Sequence, residues 1–423
     1  MDQHSARLSR RHLVAGAAAG AAIAATGGLS APQFAAAQDL KEVARERTLI
    51  LRWAGVDGQY IDHELWNGYI PTANHQNGLG ILHEPLAYYS AFADTTYPWL
   101  AESWEYNADS TQLTLETRQG VTWSSGTPFS AEDVAYTINS AKEFKANIKW
   151  GSDVATFVDK ATATDANTCV VDFTIPAPRF MFFMTYKYDI GLYIVPKHIF
   201  EGQDWATFKN FDIAAGLPVT TGPWRVVAAS PQQKVIDRAD SWWAVDAGLV
   251  AAMPAVERII YLPVVPDEQL AQQLISNEID CSLDLRVQTI ATLLGENPAI
   301  TTHTGSEAPY GYVDWWPTSL YVNNERTPYS DVNVRWAISH YIDRDQMIEF
   351  ALDGAGSTWP LPLPSYPGLQ KFVDAAGPLL AEFDTLEYNP EKGDAKLTES
   401  GWAKNGDRTW ETDGAVLTAA FGR

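Results

Sequence analysis

Apolar and polar residues alternate through Leu113-Thr114-Leu115-Glu116-Thr117, the two-residue period of a half-buried strand. Gly120 then turns the chain, Trp123 begins a second short strand, and Ser124-Ser125-Gly126-Thr127-Pro128 is a turn cluster. Ser130-Ala131-Glu132-Asp133 starts a helix, with the Ser130 hydroxyl as cap and Asp133 three residues on as its box partner. Thr48-Leu49-Ile50-Leu51-Arg52-Trp53 and Cys169-Val170-Val171-Asp172-Phe173 read as further strands. Leu270, Leu274 and Ile275 share one face of a helix opening at Pro266-Asp267, and Val334, Ala337, Ile338 and Tyr341 repeat that spacing. Asp343 and Gln346 suit another cap and its partner. Helices recurring between strands predict an α/β chain.

The length, 423 residues, exceeds a comfortable single core and predicts two or more domains. A net charge of −22 with no run of Lys or Arg argues against nucleic acid and against an anionic membrane surface as partners. Trp is abundant at 16 residues, which either stack on ligands or pack the core. The Met- and Phe-rich segment 176–187 reads as buried packing. The two cysteines, Cys169 and Cys281, have no CxxC spacing and no adjacent His; they are expected to be unpaired, buried thiols. Without a His cluster, HExxH, GxSxG or Walker loop, neither a metal, a cofactor nor a catalytic residue is expected.

Residues 1–37 read as an export signal rather than part of the fold. Ser9-Arg10-Arg11-His12-Leu13-Val14 is a twin-arginine pattern before a mild Ala- and Gly-rich run, and Ala35-Ala36-Ala37 fits a small-residue cleavage site. The run is too short for a membrane span. The mature protein is therefore expected in the periplasm or outside the cell.

The stretch Pro98 to Asn139, with LAESWE, LTLETRQGVTW and SSGTPFSAEDV, closely resembles the "LAESWE…LTLRxGVxWSDGTPFTAEDV" segment of family 5 extracellular solute-binding proteins. Further segments follow in family order: Asn77 to Leu86 ("N…LxEPL", a helix stopping at Pro85), Val195-Pro196-Lys197-His198-Ile199 ("VPKHI"), Thr221-Gly222-Pro223-Trp224 ("GTGPYxV"), Asp240 to Trp243 ("DxYW") and Asn277 to Asp280 ("GEID"). Leu320 to Asn324 ("LxFNT"), Asp331 to Ile338 ("DxxVRxAL"), Ile342 to Asp345 ("IDRD") and Asn389 to Trp402 ("YDPEKAKALLAEAGW") continue the series. The last segment departs from the pattern at Gly393-Asp394. The "VPKHI" and "GTGPYxV" segments support strand-turn-helix architecture rather than catalysis.

The resemblance implies a two-lobed, type II periplasmic-binding-protein fold of the large, cluster C kind. Lobe I would span 42–310 with an insertion at about 86–188, and 311–423 would form part of lobe II. It implies a receptor for an ABC importer of peptides, nickel chelates or oligosaccharides, working as a monomer that hands its solute to an inner-membrane permease. The solute would sit in an interlobe cleft, with Ala73, Asn74 and His75 as carried-over contacts and Trp315 and Trp316 as stacking or core residues. Relatives continue past the point where this chain stops, so lobe II is expected to be incomplete, with unpaired strand edges. A secreted hydrolase and an inert truncated paralogue are the competing readings.

Overall fold

The structure is a computed structural model and describes residues 40–187, 191–283, 285–311, 313–315, 317–406, 409–412 and 415–417. The export segment 1–37 and Trp316 lie outside the described residues. The chain divides into two compact units, one taking in Met1–Ser90 with Thr95–Asp284 and the other Ala91–Asp94 with Leu285–Arg423.

In the first unit the chain runs through β1 (Thr48–Arg52), the hairpin strands β2 (Ala87–Ser90) and β3 (Thr95–Pro98), then β4 (Ala101–Tyr106) and β5 (Gln112–Thr117). Helices α1 (Ala131–Phe144) and α2 (Gly151–Phe157) precede β6 (Val158–Ala163), β7 (Thr168–Phe173) and β8 (Tyr186–Lys187). After β9 (Trp224–Ser230), β10 (Gln233–Arg238) and β11 (Arg258–Leu262) come α3 (Asp267–Ile275) and β12 (Cys281–Ser282). Among the described residues these strands form a five-stranded sheet ordered β12-β1-β11-β10-β9, a four-stranded sheet β4-β5-β7-β6 and a three-stranded sheet β3-β2-β8. β1 pairs in parallel with β11 and β12, whereas β10 runs antiparallel to β11 and β9.

The predicted alternation is carried out in β5 and β7. Leu113, Leu115, Cys169 and Val171 are buried while their neighbours are half-exposed, and Leu115 sits opposite Cys169 in the antiparallel register. Central β11 instead reads as an almost continuous apolar run, as a strand covered on both faces does. Val134, Ile138 and Ala141 of α1 pack on the core of the four-stranded β4-β5-β7-β6 sheet; each large aliphatic side chain buried there contributes roughly 1.5–3 kcal/mol. The capping box of α1 is present, with the Ser130 N–H donating to Asp133 at 3.0 Å and Ser130 Oγ accepting from the Glu132 N–H at 3.3 Å. Phe180, Met181 and Met184 are buried in the same cluster, as the segment 176–187 predicts.

Four local expectations are corrected. Trp123 begins no strand: Thr122 makes one isolated bridge to Pro128, and Trp123 is buried with its indole N–H donating to Asp133 at 3.1 Å. Residues 77–84 do not form one regular helix. A wide turn, His75–Leu79, is followed by the short Gly80–Leu82 helix, because Gly78 adopts φ 115° to pass beneath Trp66 and Ile236. Ile194 to Pro196 is extended backbone without a paired strand, leading into the helical turn Lys197–Phe200. Both cysteines are free, but Cys281 is exposed rather than buried, since β12 is the edge strand of its sheet.

The second unit holds α4 (Val287–Glu296), α5 (Val332–Tyr341), α6 (Arg344–Ala351), α7 (Gln370–Glu382) and α8 (Pro390–Glu399), followed by the small sheet β13 (Ala403–Lys404), β14 (Trp410–Thr412) and β15 (Ala415–Val416). Its core joins Val334 and Ala337 of α5 to Leu397 of α8 and Trp402, with Ile338 and Tyr341 packed against them. Asp343 caps α6 by accepting from the Gln346 N–H at 2.9 Å. The tip of the β2–β3 hairpin, Ala91–Asp94, counts with this unit: Phe92 stacks on Tyr366 at 4.3 Å and Asp94 pairs with Lys371.

Candidate functional site

In α/β sheets, ligands gather outside the carboxyl ends of the parallel strands. In the first unit that edge is formed where β1 and β11 end. The Trp53 N–H continues the ladder by donating to the Leu262 carbonyl at 3.0 Å, and the buried Tyr60 hydroxyl donates to the Trp53 carbonyl at 2.8 Å. The backbone then turns through two left-handed residues, Ala54 (φ 57°) and Gly55 (φ 92°). A Cβ at Gly55 would lie 2.8 Å from Pro263 Cβ and 2.9 Å from the Gln59 carbonyl, so only glycine fits this turn.

The loop carrying the predicted contacts lies against that edge. Ala73 is buried among Tyr60, Trp66 and Leu79, and its carbonyl accepts from Lys149 Nζ, whose pKa burial lowers. Asn74 is half-buried and its Oδ1 accepts from the Gln76 N–H at 2.9 Å, capping the wide turn. His75 is half-buried and Gln76 exposed. Gln76 Oε1 accepts from the Trp53 indole N–H at 3.4 Å. The structure therefore brings Asn74, His75 and Gln76 to the carboxyl edge beside Trp53, with Ala73 as their anchor in the core.

A buried polar network holds the loop from behind. Asn77 Nδ2 donates to Asp62 Oδ2 at 3.0 Å, and Asp62 Oδ1 lies 3.3 Å from Lys234 Nζ. Lys234 is fully buried, with Nζ 5.0 Å from the ring centroids of both Tyr60 and Trp66. Burial lowers the Lys234 pKa and the Asp62 charge opposes that shift; burial likewise raises the Tyr60 pKa.

A second buried carboxylate, Glu84, follows the loop. Its Oε1 accepts from the Trp99 and Trp242 indoles at 2.9 and 3.2 Å, and Oε2 accepts from Trp243 at 2.9 Å. Burial raises its pKa, opposed by the hydrogen bonds from these indoles. Three tryptophans from two distant segments thus converge on one side chain.

In the second unit, Trp315 is half-buried with its ring 6.4 Å from Tyr366, whose hydroxyl donates to the Val313 carbonyl at 2.6 Å. The Lys197-His198 pair is structural: Lys197 Nζ meets Glu132 at 3.0 Å, and His198 Nε2 lies 3.0 Å from Ser125 Oγ. Among the described residues no three His, Cys, Asp or Glu are grouped as metal ligands, and no helix is long and apolar enough to cross a membrane.

Sequence reasoning singled out the loop at 73–75 and passed over Trp53 and Gln76, which meet at the same sheet edge. The available signal was positional: Trp53 closes the first apolar β-rich segment, which is where a parallel strand delivers its last side chain.

The model of bacterial extracellular solute-binding proteins, family 5 (middle), matches residues 95–420. The chain belongs to this family, whose members bind solutes for transport rather than convert them. It is 25% identical over 345 residues to the nickel-binding periplasmic protein of Escherichia coli (strain K12), covering 79% of this chain and 59% of that protein. It is 24% identical over 428 residues to the periplasmic oligopeptide-binding protein OppA of Salmonella typhimurium, covering 96% of this chain and 71% of OppA. Among solved structures, the mannohexaose-bound periplasmic oligopeptide-binding protein of a Thermotoga maritima oligopeptide ABC transporter superposes with a TM-score of 0.67 at 25% identity, covering 88% of this chain and 65% of that one. The mixed α/β, type II periplasmic-binding-protein fold expected from the sequence is borne out.

Proposed function

We propose that this chain is the substrate-binding component of an ABC importer, capturing an oligomeric solute and delivering it to a membrane permease without breaking a bond. The observation that carries this is the family match over residues 95–420, joined to a loop and an indole at the carboxyl edge of the parallel strands. An oligopeptide-like solute is the first reading, from the oligopeptide-binding relatives. An oligosaccharide is the second, favoured by the likeness to a mannohexaose-bound protein. Asn74, His75, Trp315 and Trp316 are the proposed contacts, with Ala73 contributing through its position in the loop. Export by the twin-arginine pattern, a location in the periplasm or beyond it, and a monomeric state complete the proposal.

Native mass spectrometry of the protein purified from its exporting host tests this. A retained small solute, and a rise in melting temperature when that solute is added back, is the expected result. Chemical turnover of the solute above a heat-killed control would overturn it.

A further inference from the structure

The dipeptide Asn-Gly occurs three times in the chain, at Asn67-Gly68, Asn77-Gly78 and Asn405-Gly406. Such a step is reactive within itself: the glycine amide nitrogen attacks the asparagine side-chain carbonyl carbon, with no Cβ on the glycine to hinder it. Closing that ring requires the side chain to swing onto the backbone, so packing decides which step reacts. Two of the three are locked. Asn67 is buried; its Nδ2 donates to the Trp205 and Phe208 carbonyls at 3.0 and 2.9 Å, and its Oδ1 accepts from the Tyr69 N–H at 3.0 Å. Asn77 is buried with its amide on Asp62, and a Cβ at Gly78 would lie 2.9 Å from Ile236 and 3.1 Å from Trp66. Asn405-Gly406 differs from both. Asn405 follows β13 and is half-buried, Gly406 is exposed, and nothing lies within 4 Å of where a Gly406 Cβ would stand.

We propose that Asn405 is a self-modification site, deamidating through a succinimide to aspartate and isoaspartate, and that the product carboxylate loosens the β13–β14 hairpin. The Gly406 nitrogen bonds to Asn405 Cγ, its proton passes through water to Nδ2, and Nδ2 leaves as ammonia. Water then adds across either ring carbonyl, leaving aspartate or, with the backbone rerouted through the side chain, isoaspartate. No oxidant, reductant or co-reactant other than water takes part. The Thr409 N–H donates to Asn405 Oδ1 at 3.1 Å, the atom on which negative charge builds when the amide is attacked. The amide group that leaves is the one donating to Glu411 Oε1 at 2.6 Å, so the product sets carboxylate against carboxylate. Isoaspartate also adds a methylene to the backbone just where the Asn405 N–H donates to the Thr409 carbonyl and the Lys404–Trp410 pairing begins. Trp410 packs on the core of Val334, Ala337, Leu397 and Trp402, so loosening the hairpin reaches the interior of the second unit. The inference stands apart from the receptor reading and holds whatever solute the chain takes.

Peptide mapping by mass spectrometry of the full chain, held folded in mildly alkaline buffer and sampled over days, tests the site. The expected result is conversion at Asn405, seen as an NH2 group exchanged for OH, while the peptides carrying Asn67 and Asn77 keep their mass. In urea Asn67 and Asn77 should convert as well, since unfolding removes the packing that protects them. G406A should slow conversion at Asn405 severalfold. Conversion at Asn405 no faster than at Asn67 or Asn77 in the folded chain overturns the site, as does an unchanged rate in G406A. The consequence is read from N405D, which carries the product carboxylate from the start: a lower urea midpoint, largely restored by adding E411Q, is expected. An N405D chain as stable as the parent, or a loss that E411Q does not reduce, overturns the loosening of the hairpin. Should N405D not fold, the deamidated fraction of the parent chain, separated by anion exchange, decides by the same urea comparison with the unmodified fraction.

Discussion

The hydroxyl of Tyr341 donates to Asp394 Oδ1 at 2.5 Å, tying the end of α5 to the first turns of α8. Lys404 Nζ meets the other carboxylate oxygen at 2.8 Å, and the lysine, then the tyrosine, hold the Asp394 pKa below its usual range. The neighbouring Gly393 lets the ring approach, since a Cβ there would lie 3.0 Å from two Tyr341 ring carbons and 3.3 Å from the Ala337 carbonyl. Gly393 and Asp394, adjacent positions where this segment departs from the family's usual Ala and Lys, thus both meet the same tyrosine.

Replacing Gly393 by alanine sets two effects against each other. Helix propensity favours alanine by about 1 kcal/mol, whereas overpacking a filled contact costs about 1–3 kcal/mol. G393A is expected to lower the stability of the second unit by about 1 kcal/mol, measured by urea unfolding. The double variant G393A/Y341L, which removes the ring, should recover most of that loss.

Lys234 and Asp62 form an ion pair across 172 positions of sequence, with Lys234 fully buried. D62A leaves the ammonium without its counter-charge and should cost roughly 3–5 kcal/mol. K234M keeps an unbranched side chain between Tyr60 and Trp66 and should cost clearly less. Chemical denaturation of the two variants side by side checks the order; a larger loss in K234M would contradict it.

His83 is buried, its Nε2 lies 3.3 Å from the Trp66 carbonyl, and burial pushes its pKa down to about 4 from 6.5. The folded state therefore holds fewer protons than the unfolded state between these values. Stability should be complete above pH 6.5 and decline as the pH falls towards 4. Relative to a non-titrating H83Q variant, the parent chain should lose about 2 kcal/mol between pH 7 and pH 5. A gap that stays constant over this range would remove His83 from the acid response.

Glu84 needs three indole donors satisfied at once. E84Q turns one acceptor into an N–H group facing Trp243 or the Trp99–Trp242 pair, leaving donor against donor. The expected loss at pH 7 is about 1–3 kcal/mol by urea unfolding, together with altered tryptophan fluorescence. An E84Q chain as stable as the parent would show that the indoles find other acceptors.

Periodicity and end-capping made much of the local structure legible. β5 and β7 follow from alternation, α3 and α5 from helically spaced apolar residues, and α1 from Ser130 and Asp133. All of these are set by residues within a few positions of one another. What stayed hidden depends on distant partners. Gly78 interrupts a helical pattern because Ile236 and Trp66 crowd it, and Glu84 collects indoles from residues 99, 242 and 243. The loop at 73–75 was singled out through resemblance alone. Trp53 read only as the end of a strand, because its pairing with Gln76 arises from the packing of the loop on the sheet edge.

The two cysteines differ in their access to solvent. Cys169 is sealed inside the β5–β7 pair, with burial pushing its thiol up to about 12, whereas Cys281 is exposed on the edge strand β12. A maleimide dye applied to the folded chain would accordingly label one position and leave the other untouched. Because β12 pairs with β1 at Leu51 and Arg52, that dye would stand beside the strand end that carries Trp53. The native molecule thus comes with an attachment point for an optical probe of this sheet edge, and no residue needs to be engineered in.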